Sequence, residues 1–314
     1  MSQLPAEVRE WTLDRAATVP FDRLKAAAAH LSETYRSHKP TAATALTPAE
    51  RTAAYLAVRF PATYAAARAV FRECTARLPE VTSLLDLGAG CGAATLAARE
   101  TLPELEQCTL IEADRALASA GREVLPSGQW QVAGLEEVEL PEADLVVASY
   151  ALNELTDDAR EAVLSKAWAA ARVALVVIEP GSKAGFAIIR QIRDRFAEHV
   201  AAPCPNALPC PMPADDWCHF AARVERTALH RQLKDGGLSY EDEKFSYIAL
   251  SKRPCTPAPA RIVGRPAHSP GLIRLTLCEG GRIEHRNVTK RHKEDFRKAR
   301  KSEWGDAWTA AEQS

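Results

Sequence analysis

A chain of 314 residues with 46% hydrophobic content can bury a full core, so it is globular, with room for one large domain plus appendages or for two domains. No apolar run reaches the eighteen residues of a membrane span, and eight cysteines are too few for a disulfide scaffold. The formal net charge of -1 hides an asymmetry, because nine Lys/Arg lie between Arg282 and Lys301 against Glu284, Glu294 and Asp295.

Residues 1–80 are expected to form a helical N-terminal region. The Ala-rich stretches Phe21 to Arg36 and Pro48 to Leu78 place apolar residues such as Tyr55, Val58, Tyr64 and Val70 at near-helical spacing. From Thr82 short apolar runs alternate with amphipathic ones. Strands are predicted at Ser83 to Leu87, Cys108 to Glu112, Trp130 to Ala133, Leu145 to Ser149 and Ala174 to Ile178. Helices are predicted at Ala93 to Thr101, Arg115 to Val124, Asp157 to Ala171 and Ala184 to His199. This alternation predicts an α/β fold with a parallel sheet and crossover helices. Two further strand-like runs, Arg226 to Leu233 and Phe245 to Leu250, flank the turn-rich KDGG and predict an antiparallel terminal pair. Five parallel strands plus such a pair resemble the Rossmann-like class I methyltransferase sheet. Beyond Lys252 comes a connector with Pro254, Pro257, Pro259, Pro266 and Pro270, then strand-like Leu272 to Leu277, then the basic segment. The expected division is a helical region 1–80, a cofactor domain 81–252 with a cysteine-bearing insertion at 200–220, and a small basic C-terminal extension 253–314.

The run LLDLGAGCGAAT sets Asp86, Gly88, Ala89, Gly90 and Gly92 directly after a strand and before a helix. Glycines there let the backbone turn sharply and approach a ligand, while the helix N-terminus offers N–H donors. Glu112, at the end of the next strand, stands where an acid could accept both ribose hydroxyls. Gly88, Gly90 and Ala93 also fit a dinucleotide pattern, so a nicotinamide cofactor competes. Asp86 ahead of the first glycine resembles motif I of S-adenosylmethionine (SAM) methyltransferases and favours SAM. The run ASYALNEL, with Ser149 and Asn153, resembles that family's loop beside the methyl group. No catalytic residue is assigned: methyl transfer by in-line displacement needs mainly positioning. The Asn/Asp-Pro-Pro-aromatic clamp for exocyclic amines is replaced by Ser149-Tyr150-Ala151-Leu152. Pro203-Cys204 and Pro209-Cys210 look superficially like a cytosine C5 methylation nucleophile but lie too far along the chain for it.

Cys204, Cys210 and Cys218 fall within fifteen residues, whereas Cys74, Cys91 and Cys108 sit in apolar or small-residue contexts that suit buried thiols. The spacing Cys-x5-Cys-x7-Cys fits neither zinc fingers nor the ferredoxin run, and on spacing alone both metal binding and free thiols stay open. His199, His219 and His230 are read as surface or supporting residues and not as ligands.

Several blocks together resemble the ribosomal small-subunit Rsm-twenty-two-like family: AYLAVRFPATYAA, SLLDLGAGCGAAT, VIEPG, CPNALPCPMPADDWCHFAARVER, YEDEKFSYIALSKR and RKARKSEWGD. That resemblance implies a 4Fe-4S cluster held by Cys204, Cys210, Cys218 and a fourth cysteine. Cys278 fits the family's strand-Cys-x-x-Gly pattern better than Cys255, and zinc remains the chemical alternative. It also implies the small ribosomal subunit and its 16S-type rRNA as partner, which the basic segment, with Arg223, Arg226, Arg231 and Lys234, would meet through phosphates. A non-catalytic assembly or translation factor is the competing reading. No DNA or membrane partner is expected, and the chain is expected to be a monomer. Glu7, Glu10 and Asp14 argue against a secretory signal or transit peptide, and the Ala/Arg-rich composition suits a bacterial cytoplasm.

Overall fold

The computed structural model describes residues 2–37, 46–75, 77–78 and 80–310. Of the expected helical region, residues 1, 38–45, 76 and 79 lie outside the described residues. Among the described residues, four α-helices precede β1 (Ser83–Leu87): α1 (Ala6–Ala17), α2 (Phe21–Ser37), α3 (Pro48–Ala54) and α4 (Phe60–Thr75). Thr47 starts α3 with a capping box, its hydroxyl accepting from Glu50 N while the Glu50 carboxylate accepts from Thr47 N. The continuous helix expected from Pro48 to Leu78 is interrupted by a π-helical turn, Tyr55–Arg59, and stops at Thr75. Phe60 N–H reaches back five residues to the Tyr55 carbonyl, and the adjacent Pro61 has no N–H with which to continue an α ladder.

The main sheet is built from β1 (Ser83–Leu87), β2 (Gln107–Glu112), β3 (Gln129–Val132), β4 (Ala143–Ser149), β5 (Ala171–Pro180), β6 (Val200–Ala202), β7 (Phe220–Glu225) and β8 (Tyr240–Ser251). Between them lie α5 (Ala93–Thr101), α6 (Arg115–Val124), α7 (Asp157–Ala170), α8 (Lys183–Arg195) and α9 (Ala228–Leu233). The order is β3-β2-β1-β4-β5-β8-β6, with β7 also on β8. The five strands β1–β5 are parallel, and β8 runs antiparallel to β5, β6 and β7. This is the Rossmann-like methyltransferase sheet expected from the alternating pattern.

Side-chain alternation divides the core into two layers. Leu84, Leu110, Leu145 and Val176 face α4 and α5, while Leu85, Ile111, Val146 and Val177 face α7 and α8. Each is essentially fully buried, and full burial of such a side chain stabilises by about 1.5–3 kcal/mol. One local expectation fails: Arg226 to Leu233 holds no strand. Thr227 caps α9 by accepting from His230 N, and the strand lies earlier, at Phe220–Glu225, where burial alternates residue by residue.

After β8 the chain forms a separate antiparallel sheet from β9 (Ala260–Ile262), β10 (Ala267–Ser269), β11 (Leu272–Glu279), β12 (Arg282–Thr289) and β13 (Ala307–Trp308), with α10 (Lys293–Ala299) beside it. Its own core contains Ile262, Ile273, Leu275, Leu277, Val288, Ala299 and Trp308. The first half of the basic segment is therefore a strand, paired along its length with β11 through a turn at Gly280-Gly281, whose φ values are +55° and +79°. No described helix is long and apolar enough to cross a membrane.

Candidate functional site

The loop between β1 and α5 lies at the C-terminal edge of the parallel strands, where open α/β sheets present their ligand crevice. Gly88, Gly90 and Gly92 all have positive φ, at +65°, +57° and +83°. A Cβ on Gly88 would stand 2.6 Å from Ala151 Cβ, and one on Gly90 would stand 2.7 Å from the Tyr55 hydroxyl oxygen, so both close approaches require glycine. Ala89 is buried and its N–H donates to the Ile111 carbonyl (3.0 Å).

Asp86 is fully buried beneath this loop. One carboxylate oxygen accepts from Thr95 N (3.2 Å) and Thr95 Oγ1 (2.7 Å), which ties β1 to the first turn of α5. The other oxygen has no hydrogen-bond partner, and burial pushes the carboxyl up to about 7. Glu112, at the tip of β2, accepts from Gly90 N (2.7 Å) and Asp114 N (2.8 Å), and burial raises its carboxyl as well. Asp86, Gly88, Ala89, Gly90, Gly92 and Glu112 thus form one continuous constellation.

The loop after β4 faces it. Ser149 Oγ is buried without a hydrogen-bond partner. Tyr150 holds φ +58°, a left-handed conformation that costs a non-glycine residue about 1–3 kcal/mol and persists only where the surroundings impose it. Its hydroxyl donates to Glu243 Oε1 (2.9 Å), and Arg59 donates to the same carboxylate at 3.3 and 3.5 Å. Asn153 donates to the buried Glu179 (2.6 Å), which also accepts from Leu152 N (3.1 Å) and whose carboxyl burial pushes up to about 8. Sequence reasoning gave no role to Tyr55, Arg59, Glu179 or Glu243. Only Glu179 carried a local signal, as the acid inside VIEPG at the end of a strand.

Three of the cysteines lie in the loop between β6 and β7 and a fourth on β11. Cys204, Cys210, Cys218 and Cys278 line one cleft, together with Arg193, Arg261, Met212, Phe220 and Ile283. Burial first, then the nearness of Cys204, Cys210 and Cys278, pushes the Cys218 thiol well up, and the same causes push Cys278 up to about 12. Cys255 lies elsewhere, its sulfur 4.0 Å from the Val200 carbonyl. Among the described residues no carboxylate or imidazole lines the cleft, and its sulfur donors are the four thiols and the Met212 thioether. Among the described residues, however, no three His, Cys, Asp or Glu side chains are gathered closely enough to hold a metal ion.

Two buried arginines organise this cleft. Arg261, 1% exposed, donates to the Pro203 carbonyl (2.9 Å), the Gly305 carbonyl (2.9 Å) and Glu73 Oε1 (2.8 Å), joining the cysteine loop, the C-terminal sheet and α4. It is also the strand partner of Cys278 between β9 and β11. Arg193 donates to the carbonyls of Asn206 (3.2 Å) and Leu208, holding the loop between Cys204 and Cys210 against α8. His219 and His230 are buried and not surface residues, and His219 packs between Trp217 and Trp304.

Lys290 and Arg291 in the turn after β12, Lys293, Arg297 and Lys298 on α10, and Arg300 and Lys301 just beyond it are all exposed. Of the second basic group, Arg223 is engaged by Asp242, and Arg226 and Lys234 by Glu241, which leaves little of its charge for an external phosphate.

A family profile described as "Mitochondrial small ribosomal subunit Rsm22" matches residues 49–309. The human "Ribosome assembly protein METTL17, mitochondrial" is 29% identical over 289 residues, covering 80% of this chain and 61% of the human protein. The chain thus spans well under two thirds of that relative's length. Among solved structures, a putative RNA methyltransferase from Pyrococcus horikoshii overlaps 60% of this chain and 83% of its own at 13% identity and TM-score 0.39. The magnesium protoporphyrin IX methyltransferase of Synechocystis PCC 6803 with bound SAH overlaps 61% and 84% at 14% identity and TM-score 0.36. Overlaps this loose add nothing to the strand order. The family and the human relative are both designated mitochondrial, which overturns the bacterial cytoplasmic location expected from composition and from acids near the N-terminus. Those features report local charge and amino-acid composition, and neither specifies a compartment.

Proposed function

The chain belongs to the mitochondrial small ribosomal subunit Rsm22 family, a ribosome-assembly homologue with a methyltransferase fold, and on that premise we propose that it binds SAM and acts on, or is bound to, small-subunit ribosomal RNA. The observation that carries the cofactor reading is the Asp86–Gly88–Gly90–Gly92–Glu112 constellation at the sheet edge. Gly88 and Gly90 let the backbone reach the ligand, Glu112 accepts from hydroxyls of the ribose, and buried Asp86 holds the loop through Thr95. SAM supplies an electrophilic methyl group. The protein aligns an acceptor with it, and Ser149 and Asn153, in the loop that faces the glycines, would complete the cofactor site beside the methyl group. The exposed Lys and Arg residues from Lys290 to Lys301 support phosphate contacts to RNA, which are sequence-independent.

We assign Cys204, Cys210, Cys218 and Cys278 to a 4Fe-4S cluster. The support for this assignment is that the four thiols line one cleft with the Arg193 and Arg261 guanidiniums beside them, which suits an anionic cluster; zinc is the chemical alternative for the same thiols. The cluster would join the extension 253–314 to the cofactor domain 81–252. Because its ligands come from distant segments, binding it would be part of folding.

A second reading, an assembly factor without turnover, draws on the post-β4 loop: Tyr150 is engaged with the partly buried Glu243 and Asn153 with the buried Glu179, and among the described residues of that loop no side chain is placed as a general base. Loss of a methyl mark from small-subunit RNA in cells lacking the gene supports the enzyme. Unchanged methylation, with ribosome co-sedimentation that survives Asp86→Ala and Glu112→Ala, supports the scaffold.

A further inference from the structure

The block AYLAVRFPATYAA is left without a role by the fold or the proposed site, yet it contains the π-helical turn. One-turn π segments interrupt helices at a cost in backbone regularity and are frequent at functional sites. Within this one, Leu56, Ala57 and Val58 are buried in the helical layer, whereas Tyr55 and Arg59 are only partly buried. These two residues reach the two loops of the sheet edge. Tyr55 places its hydroxyl oxygen 2.7 Å, and its Cζ 3.2 Å, from the position a Cβ on Gly90 would occupy. Arg59 pairs with Glu243 (3.3 Å) and lies 5.2 Å over the Tyr150 ring, while Tyr150 donates to the same Glu243.

Gly90 is therefore bounded on two sides. Its N–H is taken by Glu112, and its open Cα face is met by a phenolic hydroxyl from a helix that precedes the sheet in sequence. Of the three loop glycines, Gly92 faces Leu125 and Leu110 of the core and Gly88 faces Ala151, so at Gly90 alone a polar side chain fills the space that glycine leaves. We propose that the Tyr55 hydroxyl is a ligand-binding group for the cofactor on the Gly90 side of the loop, and that Arg59, through Glu243 and Tyr150, positions the π turn that carries it. This contact rests on the SAM reading. The hydroxyl donates to an acceptor oxygen of the bound molecule, a role a phenyl ring cannot fill.

The test is calorimetric titration of the full-length protein with SAM, for the wild type and for Tyr55→Phe, alongside hydrogen exchange of residues 54–60 with and without SAM. Tyr55→Phe, with its fold checked by circular dichroism, is expected to weaken SAM binding about tenfold, the loss typical of a hydrogen bond to a charged or strongly polar ligand group. SAM is expected to slow exchange across the π turn in the wild type. Equal affinity in wild type and Tyr55→Phe, or no slowing across 54–60 when SAM binds, overturns the contact while leaving the cofactor reading intact. No SAM binding by the wild type overturns the cofactor reading and this contact with it.

Discussion

Arg261→Met removes the group that ties three segments together while keeping most of its volume. The wild-type guanidinium supplies donors to the Pro203 and Gly305 carbonyls and to Glu73. Glu73 retains Arg77 at 2.5 Å, so the uncompensated loss falls on the two carbonyls. Each such acceptor left buried without a donor costs about 1–3 kcal/mol, so the two together should cost about 2–6 kcal/mol. At about 2–4 °C per kcal/mol for a domain of this size, the melting temperature should fall by roughly 4 °C or more. The damage should be localised. Amide exchange in β9, β11 and β13 should accelerate, and the Cys204 and Cys278 thiols should become reactive, while β1–β4 stay protected. Arg261→Lys should show an intermediate effect, because an ammonium cannot reproduce a planar fork toward three acceptors. A melting temperature within about 2 °C of wild type, with unchanged exchange in the C-terminal sheet, would refute the reasoning.

Burial raises the Asp86 carboxyl to about 7 against about 3.9 in an unfolded chain, so the folded state holds a proton that the unfolded state releases between those values. Its contribution is complete below about pH 4 and is lost as pH rises to 7; Glu179, raised to about 8, acts in the same direction. Asp86→Asn should therefore flatten the decline in melting temperature between pH 5 and 8, and identical slopes would count against a buried neutral Asp86. Asp144 runs the other way: its carboxyl is held down to about 2 by Thr82, Ser83 and Arg172 despite burial, so its contribution is lost as pH falls from about 4 toward 2. Cys278→Ser should abolish iron retention during anaerobic purification and Cys255→Ser should preserve it, measured by visible absorbance with iron, sulfide and zinc assays; the reverse pattern would reassign the fourth ligand. Trp308→Ala should cost about 3–5 kcal/mol by leaving a cavity among Ile262, Leu277 and Ala299, and should unfold the C-terminal sheet ahead of the cofactor domain in a protease-sensitivity series.

The parallel half of the sheet was legible because its signals are local. β1, α5 and α6 occupy Ser83–Leu87, Ala93–Thr101 and Arg115–Val124, the spans that periodicity and glycine placement predict. The antiparallel half was less so. Three-residue β6, β9 and β10 are too short to show a period; β6 and β9 exist through pairing with strands further along the chain, and β10 through a tight hairpin with β11. The run Arg226 to Leu233 carries strand-like residues, but the Thr227 cap and packing of Leu233 against the N-terminal helices make it α9. In the candidate site the glycine loop and Glu112 are a contiguous motif, whereas Tyr55, Arg59 and Glu243 enter from elements whose position depends on the assembled fold. Sequence spacing likewise could not choose between Cys255 and Cys278. The register that sets Cys278 opposite Arg261 brings it to the cleft, and Cys255 falls outside.

The most direct test of the cofactor assignment is a calorimetric titration of SAM into anaerobically purified protein, with Glu112→Ala as the matched variant. The account predicts one SAM per chain for the wild type and at least roughly tenfold weaker binding for Glu112→Ala, because both carboxylate oxygens, one held by Gly90 N and the other by Asp114 N, are removed together. Saturable binding that is unchanged in Glu112→Ala, or no binding at all to the folded wild-type protein, would contradict it.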